Sequence, residues 1–103
     1  MLVYKKRKKQ LKQPKQKTPK QMERHFKGVS NYRRIEILSL VSGENGITLD
    51  GICEAIGGNP KTVSEHTKKL VQAGLLNKSR CGREVSHSLS PFGQRFFKFI
   101  KTF

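Results

Sequence analysis

The sequence has little cysteine, few acidic residues and no long apolar run. Its two cysteines are too few for a disulfide framework and lack the Cys-x-x-Cys spacing of a metal site. No apolar run approaches the roughly 18 residues that a membrane-spanning helix needs, and no apolar stretch follows the N-terminal charges as in a secretory signal. We therefore expect a cytoplasmic protein with free thiols and no membrane partner.

The shortage of acidic residues leaves the chain strongly positive. Twenty-two Lys and Arg stand against seven Asp and Glu, which gives a formal net charge of +15 over 103 residues. This charge favours a polyanionic partner such as DNA, RNA or an acidic membrane surface, and by itself it does not choose among them. The length suits one small domain with a single core.

Much of the charge lies in residues 1–20, which contain nine Lys or Arg, two prolines and no acidic residue. Such a composition cannot bury enough apolar surface to fold alone. We therefore predict a disordered basic arm over residues 1–20 and a folded domain over residues 21–103. The arm is either a solubilising tail or localisation address, or a phosphate-binding segment that adds non-specific affinity.

A periodic helix is predicted from Asn31 to Gly43, after a weaker helical pattern between Met22 and Val29. Asn31 can cap the first turn, and Gly43 can end the helix in the left-handed conformation. The residues predicted to form its buried face are Tyr32, Ile35, Leu38 and Val41, widened by Ile37 and Leu40.

Two further helices are predicted on either side of a tight turn. Thr48 can cap the first, Gly57 and Gly58 break it, and Asn59 followed by Pro60 begins the second. Together they form a helix-turn-helix. The inward stripe of the second helix is predicted to contain Val63, Thr67, Leu70 and Val71.

A basic β-hairpin is predicted next, with its turn at Cys81 and Gly82 and with Lys78, Arg80 and Arg83 near its tip. The order predicts a mainly α fold with a small β-hairpin, a winged helix-turn-helix. Its second helix is expected to enter the major groove of DNA, and the hairpin, through Lys78, Arg80 and Arg83, to contact the flanking backbone or minor groove. The alternative is that the charged outer face of this helix is simply solvated and contacts no DNA. Its outward residues are predicted to be Lys61, Thr62, Ser64, Glu65, Lys68 and Lys69.

Four segments carry a family resemblance: "NYRRIEIL", "ITLDGICEAIG", "KTVSEHTKKLVQAGLL" and "CGREVSHSL". In order and spacing they resemble the winged-helix core of the ArsR-like transcriptional repressors, over roughly residues 31–89. The resemblance implies a small prokaryotic regulator that dimerises through its terminal helices and reads a palindromic operator in double-stranded DNA. The recognition-helix contacts that it implies are Lys61, Thr62, Ser64, Glu65 and His66.

The sequence departs from the family at several positions. Glu65 stands where the family often has Arg, so either a phosphate contact is lost there or the carboxylate accepts from a cytosine amino group instead. Thr67 replaces a large apolar residue, and Ser86 with His87 replaces an aromatic pair. We expect both core sites to bury less apolar surface.

No metal, cofactor or catalytic site is predicted. The cysteine pair and the carboxylate and His ligands of the metal-sensing family members are absent, and His25, His66 and His87 have no ligand spacing. Cys53 is interpreted as a small buried apolar residue, and Cys81 as a neutral turn residue or a thiolate activated by nearby arginines. No nucleophile has a base and an orienting group, so we expect no enzyme.

Ser90 and Pro91 are predicted to begin a terminal helix with more phenylalanines than one buried stripe can hold. Two explanations are open for the extra rings. Either the helix over residues 22–29 covers them within one chain, or they form a homodimer interface. We expect Phe96, Phe99, Ile100 and Phe103 to face inward. The residues predicted for the homodimer surface are Phe92, Phe96, Phe97, Phe99, Ile100 and Phe103.

The sequence thus favours a DNA-binding transcriptional regulator. We expect it to act as a homodimeric repressor that binds specific DNA sequences. Two alternatives stay open. One is a nucleoid-like or RNA-associated protein that binds with little sequence choice, and the other is a protein-interaction module built on the same scaffold.

Overall fold

The structure is a computed structural model that describes residues 16–103. Residues 1–15 of the predicted basic arm therefore lie outside the described residues. The first helix begins at Pro19, so Pro19 and Lys20 belong to the folded part and not to the predicted arm. Thr18 caps this helix, because its hydroxyl accepts from the Gln21 N–H at 3.2 Å while the Gln21 amide oxygen accepts from the Thr18 N–H at 2.9 Å.

Five helices and three strands make up the fold. They are α1 (Pro19–Val29), α2 (Tyr32–Gly43), β1 (Ile47–Thr48), α3 (Leu49–Ile56), α4 (Pro60–Gln72), β2 (Leu76–Cys81), β3 (Glu84–Leu89) and α5 (Pro91–Thr102). The strands form an antiparallel sheet in the order β1-β3-β2. The predicted fold, mainly α with a hairpin, is confirmed. Strand β1 was not predicted, because two residues are too few to show the alternation typical of a strand.

One apolar core joins α2, α3, α4 and the sheet. The most deeply buried side chains are those of Ile37, Leu38, Val41, Ile52, Val63, Leu70 and Leu75. The predicted buried face of α2 is wrong at Tyr32 and Ile35, which are 70% and 40% exposed. Residues 37, 38 and 41 instead occupy the inward side of α2, which packs against α4 and β3, so Tyr32 and Ile35 lie on the outer side.

The predicted helix caps are formed by side chains that accept from backbone N–H groups in the first turn: Asn31, Thr48, Asn59 and Ser90. The predicted end of α2 differs, because Gly43 remains in the helix and the left-handed residue is Gly46, at φ 91°. The hairpin turn also differs by one residue. Cys81 still pairs with Glu84, so the two-residue turn consists of Gly82 and Arg83.

A close contact fixes the rotation of α5. Gly93 is buried, and a Cβ at this position would overlap the carbonyl oxygen of Leu75. Residues three, four and seven positions later share the face of Gly93 on a helix, and these are Phe96, Phe97 and Ile100, which pack against the core.

The predicted inward face of α5 is therefore wrong at two positions. Phe99 and Phe103 were expected to face inward, but they are 52% and 95% exposed, and Phe92 is 42% exposed. Phe97 packs inward instead. The physical reason is the Gly93 contact, which rotates residues 92, 99 and 103 away from the core.

Candidate nucleic-acid interface

Helix α4 presents a polar face to solvent. Asn59 caps its first turn by accepting from the Lys61 and Thr62 N–H groups at 2.8 and 3.4 Å, and Pro60 follows as the first helical residue. Val63, Thr67 and Leu70 are buried, whereas the predicted Val71 is only half-buried. The predicted outward residues are all exposed: Lys61, Thr62, Ser64, Glu65, Lys68 and Lys69.

Gln72 also belongs to this outer face, and the sequence analysis missed it. It is exposed and lies seven residues, or about two turns, after Glu65. The helical spacing was the signal that could have identified it. Its amide is of the kind that pairs with adenine in a major groove.

Thr67 fills a core position without leaving a polar group unsatisfied. It is only 4% exposed, and its hydroxyl donates to the Ser64 carbonyl oxygen at 2.9 Å. A buried hydroxyl costs free energy when it lacks a partner. This bond within the helix satisfies the hydroxyl, so α4 keeps its position on the core despite the smaller side chain.

His66 lies at the contact between α2 and α4, unlike the exposed residues beside it. It is half-buried, and its Nδ1 accepts from the Nε–H of Arg34 at 3.1 Å. Burial lowers the pKa of His66, the charges of Arg34 and Arg33 lower it further, and Glu65 opposes them. The ring is therefore held neutral, with its proton on Nε2.

Two arginines of α2 stabilise helix ends within the domain. Arg34 also donates to the Gly28 carbonyl oxygen near the end of α1 at 3.2 Å. Arg33 donates to the Ile56 carbonyl oxygen at the end of α3 at 3.1 Å and to Glu36 at 3.0 Å. Cations at helix C-termini are favourable because carbonyl groups there lack partners. Sequence patterns gave no sign of these roles.

The wing consists of β2 and β3. Lys78 pairs with His87 and Arg80 with Val85, so these four side chains project from one face of the sheet. Arg83 lies in the turn at the tip. The cations predicted for the wing are all exposed, which leaves them free to meet an anion.

His87 brings a titratable ring into the core beneath the wing. It is only 2% exposed, and its Nδ1 is buried without a hydrogen-bond partner in the described part of the chain. Burial lowers the pKa of His87 and the charge of Lys78 adds to this, while the backbone of Ile47 acts in the opposite direction. The core therefore favours the neutral ring.

This burial predicts acid-sensitive folding. The pKa of His87 is below its ordinary value of 6.5 in the folded state, so the unfolded chain binds more protons as the pH falls. The stability contributed by neutral His87 is present above about pH 6.5 and is lost as the pH falls through the folded pKa, with a slope of at most about 1.4 kcal/mol per pH unit. We expect His87→Leu to abolish this part of the pH dependence in denaturant titrations.

His66 remains in the His87→Leu variant, so the difference between the two pH profiles reports His87. At neutral pH the variant should be at least as stable as the wild type, because it removes an unsatisfied buried nitrogen, which costs about 1–3 kcal/mol. Parallel profiles between pH 7 and pH 5 would contradict this interpretation.

The remaining cysteines and histidine have separate surroundings. Cys53 is half-buried beside the core, and burial, with the charge of Asp50 adding to it, raises the pKa of its thiol. Cys81 is exposed. His25 Nδ1 lies 2.7 Å from the Ala73 carbonyl oxygen.

Residues 16–103 contain no cluster of three or more side chains that could hold a metal ion. Among the same residues, no helix has the length and apolar composition of a membrane span.

Together, the helix-turn-helix, the exposed face of α4 and the basic wing define a winged helix-turn-helix domain. The sequence profile described as bacterial regulatory protein, arsR family, matches residues 31–78. Over these residues the chain is therefore similar to the ArsR family, which confirms the resemblance seen in the sequence. A search of curated protein sequences finds no match.

Solved structures share this fold. A homodimeric winged helix-turn-helix DNA-binding domain from Mycobacterium bovis, a possible ArsR-family transcriptional regulator, is 26% identical at a TM-score of 0.73, covering 81% of this chain and 77% of that one. HlyU from Vibrio cholerae is 20% identical at a TM-score of 0.74, covering 84% and 94%. A possible transcriptional regulator for arsenical resistance is 18% identical at a TM-score of 0.64, covering 76% and 80%.

Proposed function

We propose that this protein is a transcriptional regulator, a repressor, that binds selected DNA sequences as a homodimer. The exposed face of α4 carries this proposal. It combines donors and acceptors suited to base edges with lysines suited to phosphates, on a helix fixed by its cap and its buried stripe. In winged helix-turn-helix proteins this helix enters the major groove.

The direct readout residues are proposed to be Lys61, Thr62, Ser64 and Glu65, with Lys68 and Lys69 toward the phosphates. His66 is proposed to add a phosphate contact beside these residues. Its Nδ1 is bonded to Arg34, so its Nε2–H is the group available to a phosphate. We expect no metal, cofactor or catalytic step in this activity.

Selection of bound duplexes from a random pool at physiological salt tests the proposal. A homodimeric reader should enrich a palindrome whose half-sites lie about one helical turn apart. A nucleoid-like protein would enrich nothing and would show a steep salt dependence on every duplex. A scaffold for protein contacts would bind no duplex at physiological salt.

Thr62→Ala and Ser64→Ala are expected to relax base preference. Each lost base contact should reduce discrimination by about 1–3 kcal/mol, with little loss of affinity for random DNA. Both side chains are exposed, so the fold should be unchanged. Competition binding with single-base variants of the selected duplex measures the effect. Unchanged preference in both variants would refute this docking of α4.

Reversing the charge of Arg80 and Arg83 is expected to weaken DNA binding about tenfold or more, because both cations lie near the tip of the wing and hydrogen bonds to charged partners are strong. Lys98→Glu is the matched control. It changes an exposed charge on α5, outside the proposed interface. Equal losses in the wing variant and the control, measured by fluorescence anisotropy, would exclude a specific contact by the wing.

The homodimer is proposed to form through the aromatic surface of the terminal helices. Phe26 on α1 meets Phe96 edge to face at 5.4 Å, so α1 covers part of α5. Phe92, Phe99 and Phe103 remain exposed. Large exposed apolar patches on folded domains mark interaction sites. A two-fold axis at this surface would place two α4 helices on successive major grooves.

A further inference from the structure

Helix α1 has a stripe of cations that neither the core nor the proposed base readout uses. Lys20, Arg24 and Lys27 lie four and three residues apart, so they share one side of the helix, and all three are exposed. Within residues 16–103, Lys20 and Arg24 make no salt bridge, whereas Lys27 pairs with Glu23 at 3.3 Å on the surface. The helical rise over seven residues makes this positive stripe about 10 Å long.

The contact between α1 and α4 places the stripe beside the proposed recognition helix. Gly28 packs so closely on α4 that a Cβ at this position would overlap the Cβ of Ala73 and lie 3.6 Å from the Lys69 carbonyl oxygen. Arg24 lies one turn before Gly28, and its Nη2 is 3.8 Å from the position that a Cβ of Gly74 would take. The cations of α1 therefore lie next to the last turn of α4.

The side of α4 that borders α1 also borders its exposed face. One edge of α4 is formed by four residues spaced four, three and four apart: Thr62, His66, Lys69 and Ala73. His66 contacts Arg34 of α2, and Ala73 contacts α1, so both helices lie along this edge. Thr62 and Lys69 are exposed at the same edge. A DNA backbone that contacts Lys69 therefore has α1 as its neighbouring surface.

The aromatic side of α1 points in another direction. Phe26 meets Phe96 of α5. Successive residues of a helix are rotated by about 100°, so Arg24, two residues before Phe26, lies about 160° around the helix from it. A homodimer formed through the aromatic surface therefore leaves the cationic stripe exposed.

We propose that Lys20, Arg24 and Lys27 bind the sugar-phosphate backbone of the DNA that α4 reads. This inference deepens the proposed function and rests on it: α4 selects the bases, and α1 neutralises phosphates of the strand that passes the Lys69 edge of α4. Lysine and arginine suit this role, because contacts to phosphates fix the position of a protein on the duplex without reading sequence. Glu23 opposes the contact, since its carboxylate pairs with Lys27 and repels phosphate.

Lys20→Gln with Arg24→Gln, in the full chain, tests the stripe. Gln matches Lys and Arg in helix propensity, and both positions are exposed, so the fold should be kept. We expect binding about tenfold weaker at low salt, equally on selected and random duplexes. The slope of log affinity against log salt should become shallower by up to about 2. Fluorescence anisotropy measures the affinities, and thermal melting verifies folding.

Lys98→Gln with Lys101→Gln is the matched control. It also removes two exposed positive charges from a helix, but from α5, outside the proposed interface. We expect this variant to keep most of the wild-type affinity and salt slope, because it changes the net charge without removing a phosphate contact.

Glu23→Gln is expected to have the opposite effect. It releases Lys27 and removes a carboxylate from the stripe, so binding to every duplex should strengthen by about twofold, the size of an exposed ion pair between residues four apart. Structural damage to α1 would not strengthen binding, so this variant separates a phosphate contact from a role in folding alone.

Two results would overturn the α1 contact. Equal losses in the α1 variant and the α5 control would show only an effect of net charge, and unchanged or weaker binding by Glu23→Gln would exclude phosphate beside Lys27. A wild type that binds all duplexes alike would refute sequence selection, whereas the salt slopes would still decide the α1 contact. A wild type that binds no duplex would refute both proposals.

Discussion

Deleting residues 1–15 is expected to weaken binding to every DNA sequence alike and to flatten its salt dependence. The segment contains seven Lys or Arg and no acidic residue. Log affinity falls with log salt, and each phosphate that a cation neutralises makes this slope steeper by about 0.9. The deletion should therefore reduce the steepness of the slope by up to about 6. The measurement is binding to random and selected duplexes between about 50 and 200 mM salt, a range over which phosphate contacts change the affinity steeply.

The end point of this deletion follows from the structure. Residues 18–20 belong to the capped first turn of α1, so a deletion through Lys20 would remove the Thr18 cap as well as the charges. A full-length variant with the seven cations replaced by Gln is the matched control for chain length. If either variant keeps the wild-type salt slope, the basic segment does not bind phosphates.

Phe99→Ser with Phe103→Ser is expected to produce a folded monomer that binds its operator about 100- to 10,000-fold more weakly. Both rings are exposed, so the monomer loses little core packing. The large loss of affinity arises because a dimer presents two linked recognition helices, whose second contact occurs at high effective concentration. Sedimentation at micromolar concentration measures the association state, and anisotropy measures operator binding.

Tyr32→Ser is the matched control for the dimer. Tyr32 is also an exposed aromatic residue, but it lies on α2 and not on the terminal helices. We expect this variant to remain dimeric and to bind the operator normally. A monomeric wild type would end the homodimer hypothesis, and a dimeric Phe99 and Phe103 double variant would place the interface elsewhere.

Local chemistry made much of the fold predictable. The caps at Asn31, Thr48, Asn59 and Ser90 depend on a side-chain oxygen accepting from N–H groups two or three residues away, so neighbouring residues suffice to specify them. The outer face of α4 follows equally from helical periodicity. For the same reason the exposure of the proposed recognition residues is predictable from the sequence alone.

Tertiary packing decided the rotations of α2 and α5, which periodicity left open because both helices carry more apolar residues than one face needs. The contact of Gly93 with Leu75 turned Phe97 inward and left Phe99 and Phe103 exposed. Long-range partners also gave Arg34 its place between α1 and α4. By itself the sequence determined the winged helix-turn-helix and its charge, because these depend on local spacing. Which aromatic rings stay exposed depends on contacts between distant residues, so only the tertiary structure decided it.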